Sequence, residues 1–268
     1  MSELAPGLVD RVLAKLGLAS DPEIDVAGLS RLYLAWCRAV PFDNVRKRIA
    51  LLEGRPGLLP GGRPEDFFSA FLEHGAGGTC WPSSNALHAL LGACGFEARR
   101  IPASMADRGE PNHGSLVVRL AGQEWLVDSS ILNELPIPLS RHRPSALDDA
   151  VHPIRLEPAD AGLSIHWGRS VSSDTMPCRL MDDPVDEAFY LERYEISRGV
   201  SVFNASLYVR KNFPGRLVSF AGNTRFEKTA SGVTSRALDS DELPDALVCE
   251  LGLSRAIVAR LAALGGLG

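Results

Sequence analysis

The apolar pattern of this chain changes from helical to extended near Gly95, and that change limits the folds it can adopt. Before Gly95, apolar residues recur at i, i+3 and i+4 over residues 7–17, 26–38 and 67–72, as in amphipathic helices. Pro41 ends the second helix, because the residue before a proline is pushed out of helical geometry. The first hundred residues are therefore expected to be mainly helical.

The pattern beyond that point is extended. Residues 115–127 hold two runs of aliphatic and β-branched residues around an Ala-Gly-Gln turn, which predicts a β-hairpin. A further strand is expected over 163–167, and two or three more between residues 201 and 235. Helical spacing returns over 254–264, with Ser254 as the expected N-cap. Helices, then strands, then a mixed tail favour an α+β fold.

Composition excludes several classes of protein. With 268 residues, the chain can form one large domain or two to three small ones. Its net charge is −5 and it has no block of Lys and Arg long enough to form a phosphate-binding stripe, so we expect no nucleic-acid partner. No segment approaches the roughly 18 consecutive apolar residues of a membrane span. Residues 1–10 carry two acidic side chains and do not resemble a signal peptide, so we expect no membrane partner.

The cysteines indicate reduced thiols. Their number is odd and they form no C-x-x-C pair, which favours neither a disulfide framework nor a zinc site. They are Cys37, Cys80, Cys94, Cys178 and Cys249. We therefore expect a cytoplasmic protein without a metal. Cys37, Cys94 and Cys249 are interpreted as buried core residues, the usual position of a free cysteine.

Cys80 lies in the most unusual local segment of the sequence. The run Gly-Ala-Gly-Gly-Thr-Cys-Trp-Pro occupies residues 75–82, and its three glycines permit backbone conformations closed to other residues. Pro82 suits the first turn of a helix, and an apolar helical stripe follows it. The sequence thus places Cys80 at a helix N-terminus, where free N–H groups and the helix dipole favour a nucleophilic thiolate.

His113 and Asp128 supply the groups that such a thiolate needs. His113 comes just before the first strand of the predicted hairpin, and Asp128 comes directly after the second. Because the turn brings the two outer ends of a hairpin together, the imidazole and the carboxylate are expected to share a hydrogen bond. The three residues then form a candidate Cys-His-Asp triad.

Each of these residues also has a structural interpretation. His113 can end a strand, and Asp128 can form an Asx-turn. The remaining histidines have no metal-type partner at i+3 or i+4, and we interpret them as surface or hydrogen-bonded residues. They are His74, His88, His142, His152 and His166.

Several motifs, in this order, resemble those of the arylamine N-acetyltransferases. The pattern Gly-Gly-x-Cys ending at Cys80, the placement of His113 and the run Trp-Leu-Val-Asp ending at Asp128 carry the resemblance. Further matches are Val-Pro-Phe-Asp-Asn at residues 40–44, Leu-Leu-Gly-Ala-Cys-Gly-Phe at 90–96 and Pro-Ile-Pro-Leu at 136–139. Together they cover about residues 36 to 140, roughly 40% of the chain.

The resemblance implies an α+β fold with a cysteine-protease-like core. An N-terminal helical bundle (residues 1–95) would carry the nucleophile, and a central antiparallel β-barrel (96–200) would carry the histidine and the aspartate. A C-terminal α/β lid (201–268) would complete the fold.

The resemblance also implies ping-pong acyl transfer. Cys80 would be acylated, His113 would act as base and later as acid, and Asp128 would orient His113. Backbone N–H groups near Cys80 are candidates for stabilising the oxyanion. The donor would be an acyl-coenzyme A cosubstrate, with no permanently bound cofactor, and the acceptor a small-molecule amine or hydroxylamine.

The sequence departs from the family pattern close to these residues. The usual Arg before Gly-Gly is Ala76, and a Pro-Ser-Ser-Asn run at residues 82–85 replaces the usual Glu-x-Asn. Ser-Ser-Ile-Leu at 129–132 stands where the family has Val-Gly-Phe-Gly. The coenzyme-associated segment is echoed only by Lys-Asn-Phe-Pro at 211–214. We therefore expect the triad to be kept and the donor or acceptor to differ.

Two alternative hypotheses follow from these departures. The same thiol chemistry can form amides from an acyl group bound to a carrier protein, or hydrolyse a substrate as transglutaminase-like cysteine enzymes do. A non-catalytic binding protein on the same scaffold belongs to a different class. Rapid alkylation of Cys80 near neutral pH is expected for the enzymes, and a thiol no more reactive than Cys94 for the binding protein.

Overall fold

A computed structural model describes residues 4–159, 162–181 and 183–268 of the chain. N-terminal helices pack against an eight-stranded antiparallel sheet, and a five-stranded antiparallel sheet with two helices follows. The predicted α+β class is confirmed. Division into domains at residues 95 and 200 stays a prediction. None of the helices in the described part of the chain is long and apolar enough to cross a membrane.

Five helices and one short strand make up the N-terminal part. They are α1 (Pro6–Leu16), α2 (Val26–Ala39), β1 (Phe42–Asp43), α3 (Val45–Leu52), α4 (Pro64–His74) and α5 (Cys80–Ala93). Asp25 begins α2 by accepting a hydrogen bond from the N–H of Gly28 at 2.7 Å, an N-cap of the preferred type. The indole of Trp36 stacks on Phe67 and meets Phe68 edge-on. The apolar faces of these helices form a buried core, as the periodicity predicts.

The eight-stranded sheet is a nearly closed barrel. Its strands are β2 (Glu97–Met105), β3 (His113–Leu120), β4 (Gln123–Val127), β5 (Ile137–Pro138), β6 (Ser145–Leu147), β7 (Ile154–Ala159), β8 (Gly162–Gly168) and β9 (Thr175–Leu180). They are ordered β5-β4-β3-β2-β9-β8-β7-β6. The hydroxyl of Ser145 on β6 donates to the carbonyl of Pro138 on β5 at 2.8 Å, so the two edge strands approach each other.

The predicted hairpin is confirmed. Leu120 pairs with Gln123, and the two residues between them, Ala121 and Gly122, have φ angles of 47° and 79°. Positive φ at both central residues is the signature of the type I′ turn, whose twist matches that of paired strands. The predicted strand over 163–167 is also present, within β8.

The C-terminal part begins with a helix that the sequence pattern did not reveal. Its elements are α6 (Glu187–Val200), a short 3-10 turn (Val202–Asn204), β10 (Tyr208–Phe213), β11 (Arg216–Ala221), β12 (Thr224–Thr229), β13 (Gly232–Ala237), α7 (Glu242–Cys249) and α8 (Arg255–Ala263). The expectation of two or three strands in this part is wrong, since four form here. The N-terminal strand β1 pairs with β10 and is the fifth strand of this sheet. Ser254 caps α8 as predicted, accepting from the N–H of Ile257 at 3.3 Å.

The interpretation of three cysteines as core residues is confirmed for two of them. Cys37 and Cys94 are buried, but Cys249 is exposed. Cys249 is the last residue of α7, whose buried residues are Leu243 and Leu247. An exposed position at the end of a short helix explains the error.

Candidate active site

Cys80 is the first residue of α5, as the sequence predicts, and Thr79 is the N-cap. Cys80 is 9% exposed. Its sulfur lies 4.0 Å from the carbonyl oxygen of Asn112, the residue before His113. The first N–H groups of a helix have no carbonyl partner within it, and they carry the positive end of the dipole. Cys80 therefore lies at the positive end of the α5 dipole.

The glycine segment before Cys80 is shaped by close packing as well as by backbone freedom. Only Gly75 has a positive φ, 66°. Gly77 is required for another reason: a Cβ there would lie 1.9 Å from the carbonyl oxygen of Pro41. The carboxylate of Asp43 accepts the N–H of Gly77 at 2.6 Å, and the N–H of Asp43 donates to the carbonyl of Gly78 at 3.1 Å. The segment around β1 thus fixes the loop that presents Cys80.

Gly77→Ala is expected to destabilise the protein by about 1–3 kcal/mol, the usual cost of forcing an atom into a packed site. The clash is with backbone, which cannot rotate away. Gly92→Ala is the matched control, because Gly92 lies within α5 and a Cβ there meets no atom within 4 Å. It is expected to stabilise the helix by about 0.5–1 kcal/mol. Urea unfolding measures both, and equal effects of the two variants would contradict this role of Gly77.

His113 and Asp128 meet as the hairpin predicts. Nε2 of His113 lies 2.8 Å from Oδ2 of Asp128. Leu116 pairs with Val127 in the sheet, so the first residue of β3 and the residue after β4 lie at the same end. Both side chains are buried, with 4% and 0% exposure. With Nε2 engaged by the carboxylate, Nδ1 is the ring nitrogen available to exchange a proton with Cys80.

Asp128 is held by backbone donors and by a helix of the N-terminal part. Its Oδ1 accepts the N–H groups of Ser130 and Ile131, each at 2.8 Å. The Tyr33 hydroxyl lies 2.8 Å from the carbonyl oxygen of Asp128 and 3.1 Å from its amide nitrogen. Although burial by itself raises the pKa of Asp128, the charge and hydrogen bond of His113 lower it below the ordinary value.

The imidazole of His113 is favoured in its charged form. Burial by itself lowers the pKa of His113, but the charge and hydrogen bond of Asp128, with a hydrogen bond to Cys80, outweigh it and raise the pKa to about 10. A protonated imidazole beside Cys80 stabilises a thiolate and can donate a proton to a leaving group. The arrangement can therefore supply both a nucleophile and an acid.

The stability that this pair adds is expected to depend on pH. The pKa of His113 rises from 6.5 to about 10 on folding, so its stabilisation is fully present below pH 6.5 and is lost as the pH rises through 10. In urea unfolding, Asp128→Asn should therefore be less stable than the wild type near pH 6, and this difference should shrink towards pH 10. A difference that does not change over this range would contradict the ion pair.

Two of the residues that depart from the family pattern, Ser84 and Ser129, contact each other. The hydroxyl of Ser84 donates to the carbonyl of Gly114 at 2.7 Å and lies 2.8 Å from the hydroxyl of Ser129. Asn85 points elsewhere: its amide donates to the carbonyl of Gly62 at 2.9 Å and its oxygen accepts from Arg100 at 2.7 Å. Ser84 and Ser129 therefore tie α5 to the segment after Asp128, and Asn85 is a structural residue.

Lys47 is a charged residue near the site that sequence reasoning missed. It lies on α3, is 2% exposed, and its ammonium donates to the carbonyl and hydroxyl oxygens of Ser197 at 3.0 and 2.8 Å. Burial lowers the pKa of Lys47 to about 8, opposed chiefly by the charge of Cys80. Its place within an Arg-Lys-Arg run gave no sign of burial.

Among the described residues, no group of three or more His, Cys, Asp or Glu side chains is placed to hold a metal.

A sequence model of the family described as N-acetyltransferase matches residues 25–256. The chain belongs to this family. The resemblance to the arylamine N-acetyltransferases is thereby confirmed, and the chain is an enzyme of the N-acetyltransferase family.

Solved arylamine N-acetyltransferases share the fold. The structure from Mycobacterium marinum matches with a TM-score of 0.82 and 18% identity, covering 96% of this chain and 98% of that one. The structure from Mycobacterium abscessus matches with a TM-score of 0.78 and 22% identity, covering 97% and 94%. These likenesses extend over the C-terminal sheet, where the motifs were weakest.

Another relative of this N-acetyltransferase-family chain is the proansamycin X synthase of Amycolatopsis mediterranei (strain S699). It is 24% identical over 125 residues, which are 45% of this chain and 46% of that protein. The match thus spans less than half the length of this relative.

Proposed function

We propose that the protein transfers an acyl group from a thioester donor, through an acyl-cysteine on Cys80, to an amine or hydroxylamine. The observation that carries the proposal is the 2.8 Å contact between His113 and Asp128, next to a cysteine at the N-terminus of α5. Within an N-acetyltransferase family, this arrangement supports Cys80 as nucleophile, His113 as acid and base, and Asp128 as the residue that orients His113.

In the first half-reaction, the Cys80 thiolate attacks the carbonyl carbon of the donor. The N–H groups of Cys80 and Trp81 are the candidates for holding the oxyanion, since Pro82 has none. As the tetrahedral intermediate collapses, the bond from carbon to the donor sulfur breaks. The departing thiolate takes the proton of His113, and the acyl group remains on Cys80.

In the second half-reaction, the acceptor amine attacks the acyl-cysteine. Neutral His113 takes a proton from the attacking nitrogen while the bond to the Cys80 sulfur breaks. The products are an amide and the thiolate-imidazolium pair, so the enzyme returns to its starting state. Asp128 keeps Nε2 engaged throughout, which leaves Nδ1 facing the reacting atoms.

The donor we propose is an acyl-coenzyme A, used as a cosubstrate. The test is the intact mass of the purified protein after mixing with acetyl-coenzyme A and with longer acyl-coenzyme A thioesters, with Cys80→Ala alongside. The expected result is one added acyl group that is absent from the variant. No adduct on a protein whose Cys80 reacts quickly with iodoacetamide would reject coenzyme A thioesters as donors.

A second candidate donor is an acyl group on the phosphopantetheine arm of a carrier protein. The residues around Ser84 and Ser129 favour it: they depart from the family pattern and contact each other next to the candidate triad, as expected where the donor differs from that of the family. An acyl-carrier protein that acylates Cys80 when acyl-coenzyme A does not would support this candidate, whereas acylation by free coenzyme A thioesters supports the first.

We place either reaction in the cytoplasm, since all five cysteines are free.

A further inference from the structure

The segment after Asp128 has an unusual backbone. Leu132 and Glu134 have φ angles of 54° and 68°, in the left-handed region that side chains with a Cβ rarely adopt. Such conformations persist only where the surroundings hold them. Here side chains from distant elements bind the backbone oxygens of the segment: Tyr33 from α2 at Asp128, and Asn212 from β10 at Leu132, the latter at 2.7 Å.

Arg210, also on β10, makes the most central of these contacts. Its guanidinium donates through Nη2 to the carbonyl oxygens of Ser130 and Ile131, the second at 3.0 Å. The side chain is 2% exposed, and its charged group lies over the rings of Phe42 and Trp167, 5.9 and 5.7 Å from their centroids. Burial and these two ring contacts leave the guanidinium little freedom to move.

The same two residues hold Asp128. The N–H groups of Ser130 and Ile131 donate to Oδ1 of Asp128, while their carbonyl oxygens are held by Arg210. The peptide unit between Ser130 and Ile131 is therefore fixed at both ends: its N–H donates to the carboxylate and its carbonyl oxygen accepts from the guanidinium. A chain of direct contacts runs from Arg210 through this peptide to Asp128, and from Asp128 to His113.

We infer that Arg210 is a positioning residue for the reaction, acting through the Ser130–Ile131 peptide on Asp128 and so on His113. The inference rests on the proposed function, because Arg210 can position the reacting groups only if the His113–Asp128 pair exchanges protons with Cys80. It adds a residue from the C-terminal sheet to the machinery. No sequence motif pointed to this residue.

Arg210→Met tests the inference, with Asn212→Ala as the matched control. Asn212 lies two residues along the same strand and binds the neighbouring carbonyl of Leu132, but it touches neither peptide that holds Asp128. The readout is the rate of carboxamidomethylation of Cys80 against pH. We expect Arg210→Met to slow labelling at pH 7 by about tenfold, the effect of one unit in a protonation equilibrium, and Asn212→Ala to slow it less than about twofold.

A double-mutant cycle with Asp128→Asn separates positioning from a general structural role. If Arg210 acts through Asp128, Arg210→Met causes no further loss in the Asp128→Asn background. An equal loss in both backgrounds would overturn the inference, as would a loss no larger than that of Asn212→Ala. Thermal unfolding shows whether each variant folds. If Arg210→Met does not fold, Arg210→Lys takes its place in the same comparisons, because its ammonium lacks the planar fork.

The same labelling experiment distinguishes failure of the inference from failure of the proposed function. Wild-type Cys80 that reacts no faster than Cys94 would overturn both. Fast labelling of the wild type that Arg210→Met leaves unchanged would overturn the inference alone.

Discussion

Cys80→Ser is expected to lower the rate of acyl transfer by at least on the order of 10⁴-fold, as loss of a nucleophile does in other enzymes with covalent intermediates. A serine hydroxyl is far harder to ionise than a thiol, and His113 is held mainly in its protonated form by Asp128, so it cannot act as base towards the hydroxyl. Steady-state transfer to an arylamine, together with the intact mass of the acylated protein, measures the loss.

Cys94→Ser is the matched control for this variant. Cys94 lies at the opposite end of the same helix, is 7% exposed, and burial raises the pKa of its thiol to about 11. Its replacement introduces the same hydroxyl into a buried site without touching His113. We expect transfer within about twofold of the wild type, since the proposed nucleophile is unaffected. Turnover retained in Cys80→Ser would remove Cys80 from the proposed mechanism.

Asp128→Asn is expected to reduce acyl transfer by up to about 10⁴-fold, the size of this effect in a Ser-His-Asp triad. The amide keeps the shape of the side chain, but it removes the charge that raises the pKa of His113 and can turn its NH₂ group towards the ring. The imidazole then loses both its preferred orientation and its proton near neutral pH. Transfer rates from pH 6 to 9 measure the effect.

Asp149→Asn is the control for Asp128→Asn. Oδ1 of Asp149 also accepts two backbone N–H groups, from Val151 and His152, at 2.8 and 2.7 Å. It therefore repeats the local turn of Asp128 without the contact to His113. We expect little change in transfer for Asp149→Asn. Equal rates for the two variants would mean that Asp128 acts only as a turn residue, the structural interpretation considered from sequence.

The parts of the site that could be predicted from sequence depend on local geometry. Cys80 at the start of α5 follows from Pro82 and the apolar stripe beyond it. The meeting of His113 and Asp128 follows from a two-residue turn, because a hairpin fixes which residues lie opposite each other. Both inferences need only short stretches of chain, where spacing determines position.

The parts that were missed depend on distant contacts. Tyr33 reaches Asp128 across 95 positions, and Arg210 reaches Ile131 across 79. Nothing in the sequence around Lys47 or Arg210 indicates burial, because a buried cation differs from a surface cation only in what packs on it. The helix α6 was missed for a related reason: of its 14 residues, only Tyr190 and Tyr194 are buried, too few for a clear apolar stripe.

The burial of Cys80 and His113 also affects the lifetime of an acylated enzyme. With 9% and 3% of these residues exposed, an acyl group on the sulfur would be sheltered from bulk water, the competing nucleophile present at the highest concentration. Such exclusion protects reactive intermediates from hydrolysis. The loaded enzyme would then persist until an amine arrives, and the concentration of that amine, more than the chemistry of the thioester, would set the interval between turnovers.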